Sequence, residues 1–195
     1  MSSRYQVTKI QIPDGFAKKM SELPIGCKNN YIIGDGGGNH VVHGQYMSDE
    51  IDPVLTWCDE PPEATVDMIE IMLSIFRSKV PDVEIDTLWV EHRSYIMDET
   101  PFHGQKHDDC SPYTIICYFE IGTGIIGGNV AFYTKPEDPY DIESGEIESV
   151  YTPEVGDVVI FSGDHAVTEL KATKESISTN QNRRSILTIC VNGSP

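Results

Sequence analysis

Basic residues are scarce in this protein: 14 Lys and Arg stand against 31 Asp and Glu in 195 residues, a formal net charge of −17. Phosphate contacts need clustered Lys and Arg, so the shortage argues against nucleic acid as a partner. It suits a basic or neutral substrate, and equally a simple need for solubility. Long apolar runs are missing. None reaches the roughly 18 residues that span a bilayer, and the opening MSSRYQVTKIQIP lacks the apolar core of a signal peptide. No membrane partner is expected. Cysteine is sparse and odd in number: Cys27, Cys58, Cys110, Cys117 and Cys190 form no C-x-x-C. That argues against a disulfide framework and points to free thiols in a reducing, cytoplasmic setting. The stretch GDGGGNH (34–40) is rich in glycine, but no Gly-Lys-Ser/Thr follows it and no long helix starts there, so a phosphate cradle is not expected. A hairpin turn or a mobile loop near a site mouth fits it better.

At 195 residues the chain suits one domain with a sizeable core. The first part, 1–85, reads as support. VTKIQI (7–12) alternates like an edge strand, Phe16 to Leu23 suits a short helix, and residues 24–61 look irregular. Pro61 to Lys79 predicts a longer helix with Thr65 as N-cap, an apolar face from Val66 to Phe76, and Pro81 as the stop. Beyond residue 86 the pattern is strand upon strand, at 87–97, 103–109, 113–121, 129–134, 146–152, 157–162, 164–170 and 184–191. Gly, Pro and Asp turns separate them. The expected fold is mainly β (α+β): a double-stranded β-helix, jelly-roll or cupin-like, spanning 86–192 with supporting helices from the N-terminal half.

The informative stretch is His107 to Thr134, HDDCSPYTIICYFEIGTGIIGGNVAFYT. In an extended strand residues two apart share a face, so His107 and Asp109 present an imidazole and a carboxylate side by side while Asp108 points away. That is two-thirds of a facial 2-His-1-carboxylate site for Fe(II). His165, beyond the end of the run DVVIF, is the best candidate for the third ligand. His40, His43, His92 and His103 read as structural, and neither Cys110 nor Cys117 is expected to bind metal.

A set of further segments follows in order: Tyr118-Phe119-Glu120, Gly127-Gly128 before Phe132, Pro153-Glu154-Val155-Gly156-Asp157, His165, and Arg183-Arg184-Ser185. Taken together, these resemble the Fe(II)- and 2-oxoglutarate-dependent dioxygenases, particularly the prolyl-hydroxylase-like branch. The resemblance extends over about half of the sequence. It implies His107, Asp109 and His165 as iron ligands, with 2-oxoglutarate as co-substrate, O2 as oxidant, and ascorbate as an accessory reductant. It implies an arginine on the last strand pairing with the distal carboxylate of 2-oxoglutarate, helped by Tyr118, with Tyr95 as a weaker match. Arg183 and Arg184 compete for that role because adjacent strand residues face opposite ways. Arg183 shares its face with Ser185 and so matches the Arg-x-Ser form, which favours Arg183, with Ser185 beside it, at the co-substrate; the segment between His165 and Arg183 is longer than the family pattern. The implied activity is hydroxylation of a substrate, a prolyl or other protein side chain or a small molecule, coupled to decarboxylation of 2-oxoglutarate to succinate. A cupin-like metal-binding module without oxidation chemistry is the alternative, and a buried arginine separates the two. The loops 34–43 and 171–182, both polar and glycine- or Ser/Thr-rich, are expected to border the site and close over substrate.

Overall fold

Strand-forming sequence in a computed structural model of the protein yields β1 (Tyr5–Lys9), α1 (Phe16–Ser21), β2 (Ile32–Gly34), β3 (Gly38–Ile51), β4 (Val54–Trp57) and α2 (Glu63–Lys79). After these come β5 (Glu84–Met97), β6 (Tyr113–Ile121), β7 (Ile125–Gly127), β8 (Val130–Tyr133) and β9 (Ile147–Tyr151). The last elements are β10 (Asp157–Phe161), β11 (His165–Val167), β12 (Leu170–Ala172), α3 (Lys174–Ser178) and β13 (Arg183–Ser194). The structure describes residues 5–21, 32–34, 38–51, 54–57, 61–109, 111–134 and 145–194. Cys27, Cys58 and Cys110, and residues 35–37, where the sequence predicts a hairpin turn or mobile loop, lie outside the described residues.

The main sheet has eight strands in the order β1-β10-β6-β13-β5-β3-β2, with β4 paired to β3. Two smaller sheets, β11-β8-β9 and β12-β7, lie over one face of it. The period of two along each strand builds two cores at once. On β6, Ile115, Cys117 and Phe119 join Leu187, Ile189 and Val191 of β13 under the helices, against Met68, Met72 and Phe76 of α2 and Met20 of α1. The alternate residues Ile116, Tyr118 and Ile186 face Val130 and Phe132 of β8 and Leu170 of β12. Sheet over sheet on one side and helices on the other is the double-stranded β-helix architecture expected from the strand pattern.

In α2, Arg77 and Lys79 in the last turn and Glu63 in the first suit the helix dipole. Its N-cap is Pro62, not Thr65; Thr65 is buried within the first turn, where its hydroxyl donates to Met20 Sδ at 3.5 Å. Among the described residues no helix is long and apolar enough to cross a membrane.

Several expectations are revised. The region 24–61 is not irregular throughout: it supplies β2, β3 and β4, and β3 pairs with β5 along most of its length. The N-terminal part thus completes the main sheet as well as covering it, and β1 pairs with β10 at its edge. The 103–109 segment is not a strand; the stretch 102–107 touches the rest through two isolated bridges, Phe102 to Leu170 and His107 to His165. Residues 171–182 pack rather than wave. Thr173 caps α3 by accepting from the Ser176 amide at 3.2 Å, Ala172 and Ser176 are buried, and none of these residues lines the cavity described below.

Candidate metal centre and its cavity

The centre is assembled by backbone pairing. The His107 amide donates to the His165 carbonyl at 3.0 Å and the His165 amide returns to the His107 carbonyl at 2.9 Å. This exchange of both bonds makes the two residues direct opposites in an antiparallel pair, so their side chains leave on the same face. Their rings sit 4.3 Å apart between centroids. Asp109, two residues on, turns its carboxylate to the same point. His107 Nε2 lies 3.6 Å from Asp109 Oδ1, and His165 Nε2 lies 3.8 Å from Asp109 Oδ2. One ligand atom from each of the three residues falls within 4.8 Å of the others, an arrangement that could hold a metal ion. An ion about 2.1 Å from each would separate neighbouring ligands by about 3 Å, so only a small contraction is needed.

The surroundings prepare these donors. His107 Nδ1 lies 2.8 Å from the Gln105 carbonyl, and His165 Nδ1 lies 3.4 Å from the Gly163 carbonyl. A carbonyl only accepts, so each Nδ1 carries the proton and each Nε2 lone pair faces Asp109. Thr114 Oγ1 donates to Asp109 Oδ2 at 2.6 Å and fixes the carboxylate. Burial lowers the His165 pKa below 6.5, outweighing the opposing pull of Asp109. Two imidazoles and one carboxylate are the donor set that suits Fe(II), and their placement on one side leaves other positions open.

Behind the triad lies a cavity of about 460 Å³. Ile116, Val130, Val167 and Ile186 give it apolar walls, and Glu91, Arg93, Gln105 and Thr188 supply polar groups. Arg184 is only 2% exposed and lies in this cavity, its guanidinium carbon 4.9 Å above the Tyr118 ring and 5.7 Å from the Tyr95 ring. Nη1 donates to the Gly128 carbonyl at 2.6 Å, whereas Nε is buried with no partner. Among the described residues no carboxylate pairs with this guanidinium. Burial pushes the Tyr118 hydroxyl up to about 12, against the opposing influence of Arg184, so it stays protonated and able to donate.

Arg183 and Ser185, the pair favoured from sequence, do not line the cavity. Period-two alternation along β13 sends Ser185 to the helix side with Leu187 and Ile189, and Arg184 to the cavity side with Ile186. Ser185 is buried in a run of hydroxyls: it lies 2.8 Å from Ser94 Oγ and donates to Glu120 Oε2 at 2.7 Å. Alternation separates the two arginines as expected, but the Arg-x-Ser match picks the opposite parity from the one that reaches the cavity. Tyr95, read as the weaker pocket match, does line the cavity.

The glycine motif is explained by Arg184. Gly127 and Gly128 have φ of +75° and +77°, and a Cβ on Gly128 would stand 2.6 Å from Arg184 Nη1. The Pro-x-x-Gly-Asp motif is structural as well: Asp157 accepts hydrogen bonds from the Tyr151 hydroxyl and, at 2.8 Å, from the Glu154 amide, and pairs with Lys9 at 3.0 Å. His43 and His92 are structural too, stacked at 4.3 Å behind the sheet. Among the cavity residues that sequence reading missed are Glu91 and Arg93. Their signal was present: on β5 the alternate positions Glu91, Arg93 and Tyr95 put charge where a buried strand face would be apolar.

No family model matches the sequence, and no curated protein matches it. Solved structures do. A Pseudomonas putida prolyl-4-hydroxylase superposes with a TM-score of 0.57 at 13% identity, over 100% of this chain and 95% of that one. An oxidoreductase of the 2OG-Fe(II) oxygenase family from Burkholderia pseudomallei gives 0.54 at 14% identity, over 90% and 76%. A full-length Neurospora crassa protein in complex with alpha-KG gives 0.50 at 14% identity, over 97% and 74%. With the strand order and the two-core packing, these superpositions establish that the protein has the double-stranded β-helix fold of the Fe(II)- and 2-oxoglutarate-dependent oxygenases.

Proposed function

We propose that the protein is an Fe(II)- and 2-oxoglutarate-dependent oxygenase that hydroxylates a substrate, with His107, Asp109 and His165 as iron ligands. The observation that carries this reading is the buried guanidinium of Arg184, lacking a carboxylate partner among the described residues, in the same cavity as the triad. A buried cation is costly unless paired, and a bidentate carboxylate is its natural mate. The distal carboxylate of 2-oxoglutarate would meet Arg184, with Tyr118 donating beside it. Bound there, iron and 2-oxoglutarate supply the oxidising chemistry: one atom of O2 enters a substrate hydroxyl, the other enters succinate, and CO2 leaves.

The protein's own residues do the rest. Gln105 and Gly163 orient the two imidazoles, Thr114 holds Asp109, and Ile116, Val130, Val167 and Ile186 supply apolar wall beside them. A metal-binding module without oxidation chemistry would have no use for Arg184. The test is succinate formation from 2-oxoglutarate by protein supplied with Fe(II) in air, with no primary substrate. Slow Fe(II)-dependent turnover that Asp109→Ala abolishes without unfolding supports the reading. No turnover, or equal turnover by the variant, refutes it.

A further inference from the structure

Three neighbouring strands carry side chains in rungs across the cavity face. Arg184 stands opposite Tyr95; Ile186 opposite Arg93; Thr188 opposite Glu91; Cys190 opposite Trp89. On the other side of β5, Gln45 stands opposite Glu91 and Met47 opposite Trp89. From Tyr95 to Glu91 is four residues, about 13 Å at about 3.3 Å per residue. Beyond the Arg184 end, therefore, the cavity floor continues outward past the metal centre.

That outer part holds a recess of about 140 Å³ lined by Trp89, Glu91, Arg93, Asp109, Thr188 and Cys190. The carboxylate residue of the triad, Asp109, belongs to both the recess and the main cavity, so a molecule in the recess lies beside the metal centre. The recess opens to solvent and has room for the polar head of a small molecule beside the metal centre.

The polar floor of the recess is amphoteric. Arg93 Nη2 meets Glu91 Oε1 at 2.6 Å, and Gln45 Nε2 donates to Glu91 Oε2 at 2.6 Å. A carboxylate offers about four lone-pair sites and a guanidinium about five N–H donors, so both groups can take further bonds while staying paired. A purely cationic ligand would face Arg93 and a purely anionic one Glu91; a ligand carrying both charges close together can meet each group without breaking the pair. Outside the ion pair the surface turns apolar: Trp89 is 47% exposed and its cross-strand neighbour Met47 is 59% exposed. Large apolar groups exposed together beside a polar recess mark a binding surface.

We propose, on the reading that the triad and Arg184 form an oxygenase site, that the primary substrate is a free α-amino acid with an apolar side chain. Its ammonium binds Glu91, its carboxylate binds Arg93, and its side chain lies between Asp109 and the Trp89–Met47 surface. The bond oxidised is a C–H of the substrate's side chain, which becomes C–OH with the O2, succinate and CO2 balance given above. A residue within a protein has lost both charged head groups and does not fit.

The experiment offers protein loaded with Fe(II) and 2-oxoglutarate the proteinogenic L-amino acids, each alongside its N-acetyl and carboxamide derivatives. It measures succinate formed in air and, in parallel, binding by calorimetry under nitrogen. The expected result is at least tenfold stimulation and measurable binding by one or more apolar amino acids, with both blocked derivatives inert. Glu91→Gln should shift selectivity toward the N-acetyl derivative, and Arg93→Lys, which keeps the charge, should retain part of the binding. Basal succinate formation without stimulation or binding by any free amino acid overturns this inference and leaves the oxygenase reading standing. Stimulation by blocked derivatives or by a peptide equal to that by the free acid also overturns it. Absence of even basal turnover removes both.

Discussion

Arg184 Nη1 donates to the Gly128 carbonyl at 2.6 Å, joining the last strand to the glycine pair that precedes β8. The contact orients the guanidinium within the cavity. It also explains why glycine is needed at 128, since φ is +77° and a Cβ there would lie 2.6 Å from both Arg184 Nη1 and Leu170 Cδ1.

Gly128→Ala should therefore do two things. A left-handed backbone conformation costs a non-glycine residue about 1–2 kcal/mol, and displacing the guanidinium adds to it. The melting temperature should fall by several degrees, on the order of 4 °C per kcal/mol for a protein of this size, and affinity for 2-oxoglutarate should fall with it. Thermal melts with and without 2-oxoglutarate measure both; a variant with wild-type melting and affinity contradicts this role.

Thr114→Val removes the 2.6 Å hydrogen bond to Asp109 Oδ2 while keeping the side chain's shape. Partners that hold a metal ligand in place are worth about 10–100-fold in affinity. Fe(II) binding measured anaerobically should weaken within that range with folding intact.

His92 is buried on the helix side of the sheet, against His43 and Phe119, with neither ring nitrogen hydrogen-bonded. Burial lowers its pKa to about 3, with His43 and Arg183 adding to the effect. Unfolded, the ring takes a proton near pH 6.5; folded, it does not until far lower. The unfolded state therefore binds more protons below about pH 6.5, and the stability His92 contributes as a neutral group is lost progressively as pH falls from about 6.5 toward about 3. The slope is on the order of 1 kcal/mol per pH unit. His92→Phe should cost little at about pH 8 and should flatten the decline in melting temperature between about pH 6.5 and 5. An unchanged pH profile would show that His92 is not held neutral by burial.

Much of this was legible in the sequence. Strand-like runs at 113–121 and 157–162, bounded by Gly, Pro and Asp turns, identified β6 and β10, and the His-x-Asp spacing with His165 named the residues the fold brings together. What was hidden has physical causes. β3 carries glycines and mixed polarity because its residues face different environments: Val42 and Tyr46 are buried, Met47 is exposed, and Gly44 sits at a register shift. The 171–182 segment has one large apolar residue, Ile177, yet orders through a Thr173 cap and a tight approach of Gly124 to Ser176. The choice between Arg183 and Arg184 turned on parity, and a strand's parity follows from which of its faces meets the helices. Leu187, Ile189 and Val191 settle that, and all three lie on the Arg183 side.

The proposed role of Arg184 in holding 2-oxoglutarate is tested most directly by calorimetric titration of 2-oxoglutarate, under nitrogen with Fe(II), into the wild-type protein, Arg183→Ala and Arg184→Ala. Leaving a buried carboxylate without its partner costs about 3–5 kcal/mol, so Arg184→Ala should weaken binding by at least about 100-fold. Arg183→Ala should bind within about threefold of wild type, since changes away from a site rarely exceed about 0.5 kcal/mol. The reverse ranking, or a wild-type protein that does not bind 2-oxoglutarate, would contradict that role.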